Sequence, residues 1–499
     1  MSPKSIAIIG AGFAGISAGI YGQMNGYNTQ IFELHNLPGG LCASWKRKGY
    51  TIDGCIHWLV GSSPANSIFT FWQEVGLLKD RQFVDHEIFM VVEDEQGRAF
   101  NMYVNPDRLE KHMLEFAPQD AGAIRELTDG IRLCKKIGQP AFKGGLAGLL
   151  QKAGFFAGML SVIPQMKNWT NLTLADLGNH FQDPLLRKSI KDSLFPDMAA
   201  LGLVMTLAFL DSKTAGYPLG GSMPLAQAIE KRYLDLGGTI HYSSPVEKIL
   251  VEDNRAVGVR LKDGSEHRAD VVISAADGHA TIFKMLEGRY VNDTIRGYYD
   301  NMLIFPGLVF VGLGINRSFA DETQSVSGIK YPLKTPIIIG GKSHEILSAH
   351  LYNFDPTLAP DGKSVMTIMF DSDYNYWKEL SADPATYQAE KHAVSEAVLD
   401  GLEQRWPGIA NQVEMIDVAT PLTFERFTGN WQGSFEGWMI TPKALMMKME
   451  NTLPGLENFY MAGQWVQPGG GLPGGVMSGR RAITDICKKD KVKFHTTTI

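Results

Sequence analysis

The sequence predicts an α/β protein built on a parallel, dinucleotide-binding sheet, with a second, α+β portion interrupting it. Three observations carry this expectation. Residues 4–40 read as strand, glycine turn, helix, strand and acid. Residues 217–277 return to a regular alternation of helix and strand. Residues 458–486 close the chain with a strand, a glycine loop and a helix.

In the first unit, Ile6 to Ile9 form a short apolar run of the kind buried in a parallel sheet. Gly10, Gly12 and Gly15 follow in GxGxxG spacing, with Gly19 one helical turn on. Gly10 allows the tight turn, Gly12 lets the backbone approach a pyrophosphate, and Gly15 lets the helix pack on the strand. Phe13 and Ala14 open a helix that runs to about Asn25, where Gly26 suits the cap. Its N-terminus offers free N–H groups to phosphates. Asn28 to Phe32 reads as the second strand, ending at Glu33 and Leu34. The Glu33 carboxylate suits both ribose hydroxyls and repels a 2′-phosphate.

At 499 residues the chain is too long for one simple core, so two domains are expected. Hydrophobic residues at 44% and charged residues at 20% indicate a soluble, globular protein. A net charge of −6 argues against a nucleic-acid partner. Cys42, Cys55, Cys134 and Cys487 are scattered without a CxxC, which gives neither a dithiol motif nor a metal site and suggests a reducing compartment. The N-terminal apolar run passes at once into the glycine turn and does not read as a signal peptide. No stretch of about 20 apolar residues is present, so the cytoplasm is the default location.

Beyond Leu34, Gly39-Gly40 give backbone freedom where a second phosphate contact is useful, with Leu41 beside them. Tyr50 to Asp53 reads as a strand, Gly54 as a turn, and His57 and Trp58 follow in an apolar setting. This order of glycines, acid, GG and D-G resembles the N-terminal signature of the FAD-dependent oxidoreductases that include phytoene desaturases, carotenoid isomerases and retinol saturases. Many members carry Arg after the GG; Leu41 stands there in this chain and removes one phosphate contact.

The resemblance implies a two-domain, FAD-binding Rossmann-like fold of the glutathione reductase type with an α+β substrate domain. Residues 1–90, 215–289 and 450–490 would form the FAD-binding domain, and 91–214 with 290–449 the substrate domain. It also implies an apolar, polyene or isoprenoid substrate, carotenoid- or retinoid-like, altered by desaturation, saturation or isomerisation at carbon–carbon bonds. His57 and Trp58 would lie near the flavin face as catalytic candidates. His57 titrates near neutrality in its reference state, which suits acid–base work, or it is a core histidine hydrogen-bonded to backbone.

Residues 86–104 read as a hairpin turning at Glu95-Gln96-Gly97, and Asn105-Pro106 is a helix start. The pattern is then mainly helical to about residue 210. The greasy segment 144–163 either dips into a bilayer surface, giving peripheral membrane contact, or forms a buried lid. Residues 199–210 read as core or tunnel lining.

Gly220-Gly221 precede a helix of about 13 residues ended by Gly237-Gly238, and strands follow around 238–244, 246–253, 256–261 and 269–277. By the resemblance, Val246 offers its backbone to the adenine, and Ser274, Ala275 and the residues to Asp277 lie near the dinucleotide. Gly312 and Gly314 repeat a GxG, but no third glycine follows in register, so no second dinucleotide site is expected.

In the last unit Gly463 turns the chain, and Gly469 to Gly471, Gly474 and Gly475 keep a loop free of side chains. A helix is expected from near Val476, its N-terminus stabilising negative charge. The resemblance puts Gln464, Trp465, Gly471, Leu472 and their glycine neighbours against the flavin ring. Three other readings stay open at this point: a flavin amine oxidase, which needs an aromatic cage and a lysine; a non-enzymatic prenyl-lipid binder on the same fold; and, least favoured for want of a second site, a nicotinamide-dependent reductase.

Overall fold

A computed structural model describes residues 3–137, 166 and 168–498. The greasy segment 144–163 lies outside them. Among the described residues no helix is long and apolar enough to cross a membrane.

The chain opens as the sequence predicts, with β1 (Ser5–Ile9), α1 (Phe13–Met24) and β2 (Asn28–Phe32). These found a five-stranded parallel sheet whose order is Phe459–Met461, Val271–Ser274, β1, β2, Thr239–His241. Alternation along β1 explains how both faces are filled. Ile6 and Ile8 pack with α1, whereas Ala7 and Ile9 face Ile249, Val259 and Leu261 of a three-stranded antiparallel sheet.

Glycines let the helices press together above this sheet. A methyl group on Gly19 would lie 2.6 Å from the Tyr233 ring of the helix Ser222–Asp235. One on Gly479 would lie 2.8 Å from the Ala18 nitrogen of α1. The C-terminal helix runs from Gly471 to Asp490, so it begins well before the expected start near Val476. Gly470, at φ 52°, takes the residue before the helix into a conformation open to glycine, and Pro473 is tolerated in a first turn.

The second sheet has seven strands in the order Val413–Ala419, Gly307–Ile315, Ser364–Ser372, Lys342–Leu351, Ile329–Ile339, Ile88–Glu93, Ala99–Tyr103. Its back face buries Val309, Val311, Leu347 and Ile368 against Val394, Val398 and Leu402 of the helix Pro384–Glu403. The front face receives the hairpin Ser44–Arg47/Tyr50–Asp53. Gly312 and Gly314 serve this docking: a methyl group on Gly312 would meet Ile52 at 2.6 Å, and one on Gly314 would collide with the Tyr50 ring. Both lie inside the strand Gly307–Ile315, which is why their GxG is no phosphate turn.

Between residues 105 and 211 the fold is helical. Asn105 Oδ1 accepts from the N–H groups of Asp107 and Arg108, both at 3.1 Å, and Pro106 opens the first helix as its sequence implies. The expected core helix appears as Ala200–Asp211.

Candidate functional site

A cavity of about 1330 Å³ lies between the carboxyl ends of the parallel strands and the front face of the seven-stranded sheet. That exceeds the roughly 300–1,000 Å³ of an ordinary small-ligand pocket, leaving room for a cofactor and a substrate together. Its position at the carboxyl edge of a parallel sheet is where such folds bind dinucleotides.

Glycine turns and two helix N-termini build one end. Gly10, Gly12, Phe13 and Ala14 line it, facing Gly39, Gly40 and Leu41. The Gly39 N–H donates to the Ala11 carbonyl at 2.8 Å, which holds the second turn against the first. Gly10, at φ 95°, is in the left-handed region. Gly12 is different. At φ −74° it is unstrained, and a methyl group there would come no closer than 3.9 Å to the protein. Nothing in the chain itself demands a glycine there; a ligand drawn close to the backbone does.

Glu33 and Leu34 line the same end, with Val246 and Ala275 to Asp277. Glu33 accepts from the Ala11 N–H at 2.6 Å and from the His35 N–H at 2.8 Å. Burial raises its carboxyl above the usual range, and those two N–H groups pull it back. Gly463, Gln464, Gly471, Leu472 and Gly475 complete the cradle. Ser478 Oγ accepts from the Gly463 N–H at 2.8 Å and so fixes that turn to the C-terminal helix. Trp465 also lines this region, and its indole N–H is buried without a hydrogen-bond partner among the described residues.

Four expected site residues do not line the cavity. A methyl group on Gly15 would collide with the Gly10 carbonyl oxygen, so that glycine serves helix–strand packing. Ser274 turns inward, its hydroxyl 2.7 Å from that of Thr281. Val476 is fully buried, and Gly474 sits within the first helical turn beside the Gln467 side chain. Helix formation from Gly471 accounts for these last two, because it carries 474 and 476 away from the loop.

His57 and Trp58 line the middle of the cavity. Asp53 sets their approach by accepting from the N–H groups of Cys55 and Ile56 at 2.9 and 3.0 Å. His57 stacks on His350, ring centroids 4.7 Å apart. Burial pushes its imidazole down to about 4, so the ring is neutral at physiological pH. In that state His57 offers a hydrogen bond rather than a stored proton.

The missed residue of greatest chemical interest is Glu436. It lines the cavity beside Gly469 to Leu472, makes no hydrogen bond among the described residues, and is pushed up to about 7 by burial. Such a carboxyl can hold or release a proton near neutrality. A methyl group on Gly470 would lie 3.1 Å from its Cβ and Cγ. No motif in SFEGW announces it; only the fold brings that bend to the glycine loop.

The far wall is apolar. Phe195, Phe305 and Phe435 cluster there, the first pair edge-on at 5.5 Å and the second tilted at 5.1 Å, joined by Met198, Met205 and Met439. Gly202, Met205 and Thr206 of the helix Ala200–Asp211 face the cavity, and Leu203, Val204 and Leu207 face the core, so this helix is both lining and core. Among the described residues there is no group of His, Cys, Asp or Glu placed to hold a metal ion.

Comparison with known proteins agrees with this geometry. The sequence model of the family described as flavin containing amine oxidoreductase matches residues 13–487. A phytoene desaturase (lycopene-forming) from Pseudescherichia vulneris is 25% identical, with 96% of this chain and 98% of the relative covered. A chloroplastic prolycopene isomerase from Arabidopsis thaliana is 25% identical over 96% of this chain and 82% of its own length. Among solved structures, an oxidoreductase from Methanosarcina mazei superposes with a TM-score of 0.63 at 17% identity, covering 96% of this chain and 100% of that one.

Proposed function

The chain belongs to the flavin containing amine oxidoreductase family and is an FAD-dependent oxidoreductase, and from that premise we propose that it acts on an apolar polyene or isoprenoid at a carbon–carbon bond. One observation carries the reading: a single cavity joins a glycine cradle to a wall of Phe195, Phe305, Phe435 and three methionines. Relatives named phytoene desaturase and prolycopene isomerase support it.

The residues present suit FAD. Gly12 leaves room that only a ligand fills, the Trp465 N–H lacks a partner, and two helix N-termini meet at the cradle. Gly10 to Ala14 and Gly39 to Leu41 would hold the pyrophosphate, Glu33 the ribose, and Val246 with Ala275 the adenine. Gly463, Gln464, Gly471, Leu472 and Gly475 would lie against the ring, with Gly15, Ser274, Gly474 and Val476 as the packing beneath. When bound, FAD supplies hydride-transfer chemistry.

The chain's own part is to bind, orient and exclude water. The aromatic and methionine wall desolvates an apolar chain, at about 25 cal/mol per Å² buried. His57 and Trp58 line the same cavity. Glu436 holds a proton at its carboxyl below about pH 7 and can release it above. In this reading residues 1–90, 215–289 and 450–490 form a discontinuous cofactor domain, and 91–214 with 290–449 a substrate domain.

The test is spectroscopic. The purified protein should show a flavin spectrum, release FAD on denaturation, and be bleached anaerobically by polyenes or isoprenoids. Bleaching by amines alone would sink the substrate assignment.

A further inference from the structure

The front face of the seven-stranded sheet carries a polar row that the fold does not require. Lys330 stands in register with Ser348, and His350 with Thr367, so the four form one patch across three strands facing the cavity. Their neighbours Leu347, Ala349 and Ile368 point the other way, into the apolar core. An entirely apolar ligand would be served by apolar residues on both faces.

His350 is the centre of this row. Both of its ring nitrogens are buried with no hydrogen-bond partner among the described residues. His57 stacks over it, the two ring planes inclined by 21°. Burial holds both rings neutral. A neutral imidazole presents one donor and one acceptor. Leaving either buried and unpaired is unfavourable. The Lys330 ammonium is tied to the Asp192 carbonyl, and Asp192 and Asp371 also line the cavity, so the surroundings do not favour an anion.

We propose that Ser348, His350 and Thr367, with His57 above them, form a subsite for a neutral oxygen function, so that the substrate is an oxygenated isoprenoid or polyene, an alcohol or carbonyl compound, and not a plain hydrocarbon. A hydroxyl group matches the donor and acceptor of His350, whereas a hydrocarbon would bury both unpaired. This inference rests on the isoprenoid or polyene reading given above and narrows it.

The test compares geranylgeraniol with the hydrocarbon of the same chain lacking the hydroxyl. Each is titrated into the flavin-loaded protein, with quenching of tryptophan fluorescence as the readout. The alcohol should bind roughly ten- to a hundredfold more tightly. His350→Phe should remove that preference while flavin content and melting temperature stay near the parent's. Thr367→Val, a smaller change, should reduce it. Equal affinities in the parent protein overturn the subsite and leave the isoprenoid reading standing, as does a preference that survives His350→Phe. Binding of neither compound overturns both.

Discussion

Asp53 caps a helix that starts at Ser222, 169 residues further along the chain. Its carboxylate accepts from the Ser222 N–H and from the Ser222 hydroxyl at 2.7 Å, besides the two N–H groups of the turn leading to His57. One fully buried side chain thus joins the hairpin, a helix of the parallel-sheet layer and the middle of the cavity.

Replacing it should be costly. Asp53→Ala strands at least three donors in the interior and is expected to lower stability by about 3–5 kcal/mol. Asp53→Asn keeps one acceptor oxygen and should fall between. Denaturant midpoints measure this; an alanine variant within about 1 kcal/mol of the parent would show that water replaces the carboxylate.

Gly12 and Gly15 separate ligand binding from folding. Gly12→Ala meets no protein atom closer than 3.9 Å, so its melting temperature should match that of the flavin-free parent. Its flavin affinity should fall about tenfold or more, because the methyl group occupies the approach of the phosphates. Gly15→Ala drives a methyl group into the Gly10 carbonyl and should cost roughly 1–3 kcal/mol before any ligand is added. Equal effects of the two variants on flavin-free stability would refute the distinction.

Glu436 makes a pH signature. Burial raises its carboxyl from the ordinary 4.5 to about 7. The folded protein therefore keeps a proton that the unfolded chain has released, and its stability falls as pH rises between those values. Glu436→Gln removes this loss. The variant should match the parent below pH 4.5 and exceed it above pH 7, by up to about 3 kcal/mol. A constant difference between the two across that range would mean that Glu436 does not titrate there.

The cofactor end was largely legible in the sequence because its chemistry is local. A glycine turn, the helix behind it and the acid after the second strand are near neighbours in the chain, and Glu33 lies where its spacing from Gly10 predicts. The substrate end was not. Glu436 reaches the cavity through a bend with no periodicity, and His350 lies in a strand whose pairing with Thr367 is made in three dimensions. The helix start differs for a related reason: a glycine-rich stretch reads as a loop, yet tertiary packing against α1 lets the C-terminal helix begin at Gly471, ahead of Val476.

The sockets at Gly312 and Gly314 have a geometric consequence. With Ile52 and the Tyr50 ring seated in them, and the Tyr50 hydroxyl bonded to Glu414 at 2.8 Å, the sheet cannot slide past the hairpin that adjoins the cradle. This packing sets the span from His350 to the glycine cradle in the structure. On the proposed reading, a molecule gripped at its oxygen would present the same carbon to the reacting centre at each turnover. Regiochemistry then becomes a matter of counting bonds from the anchored end, and the protein acts as a ruler.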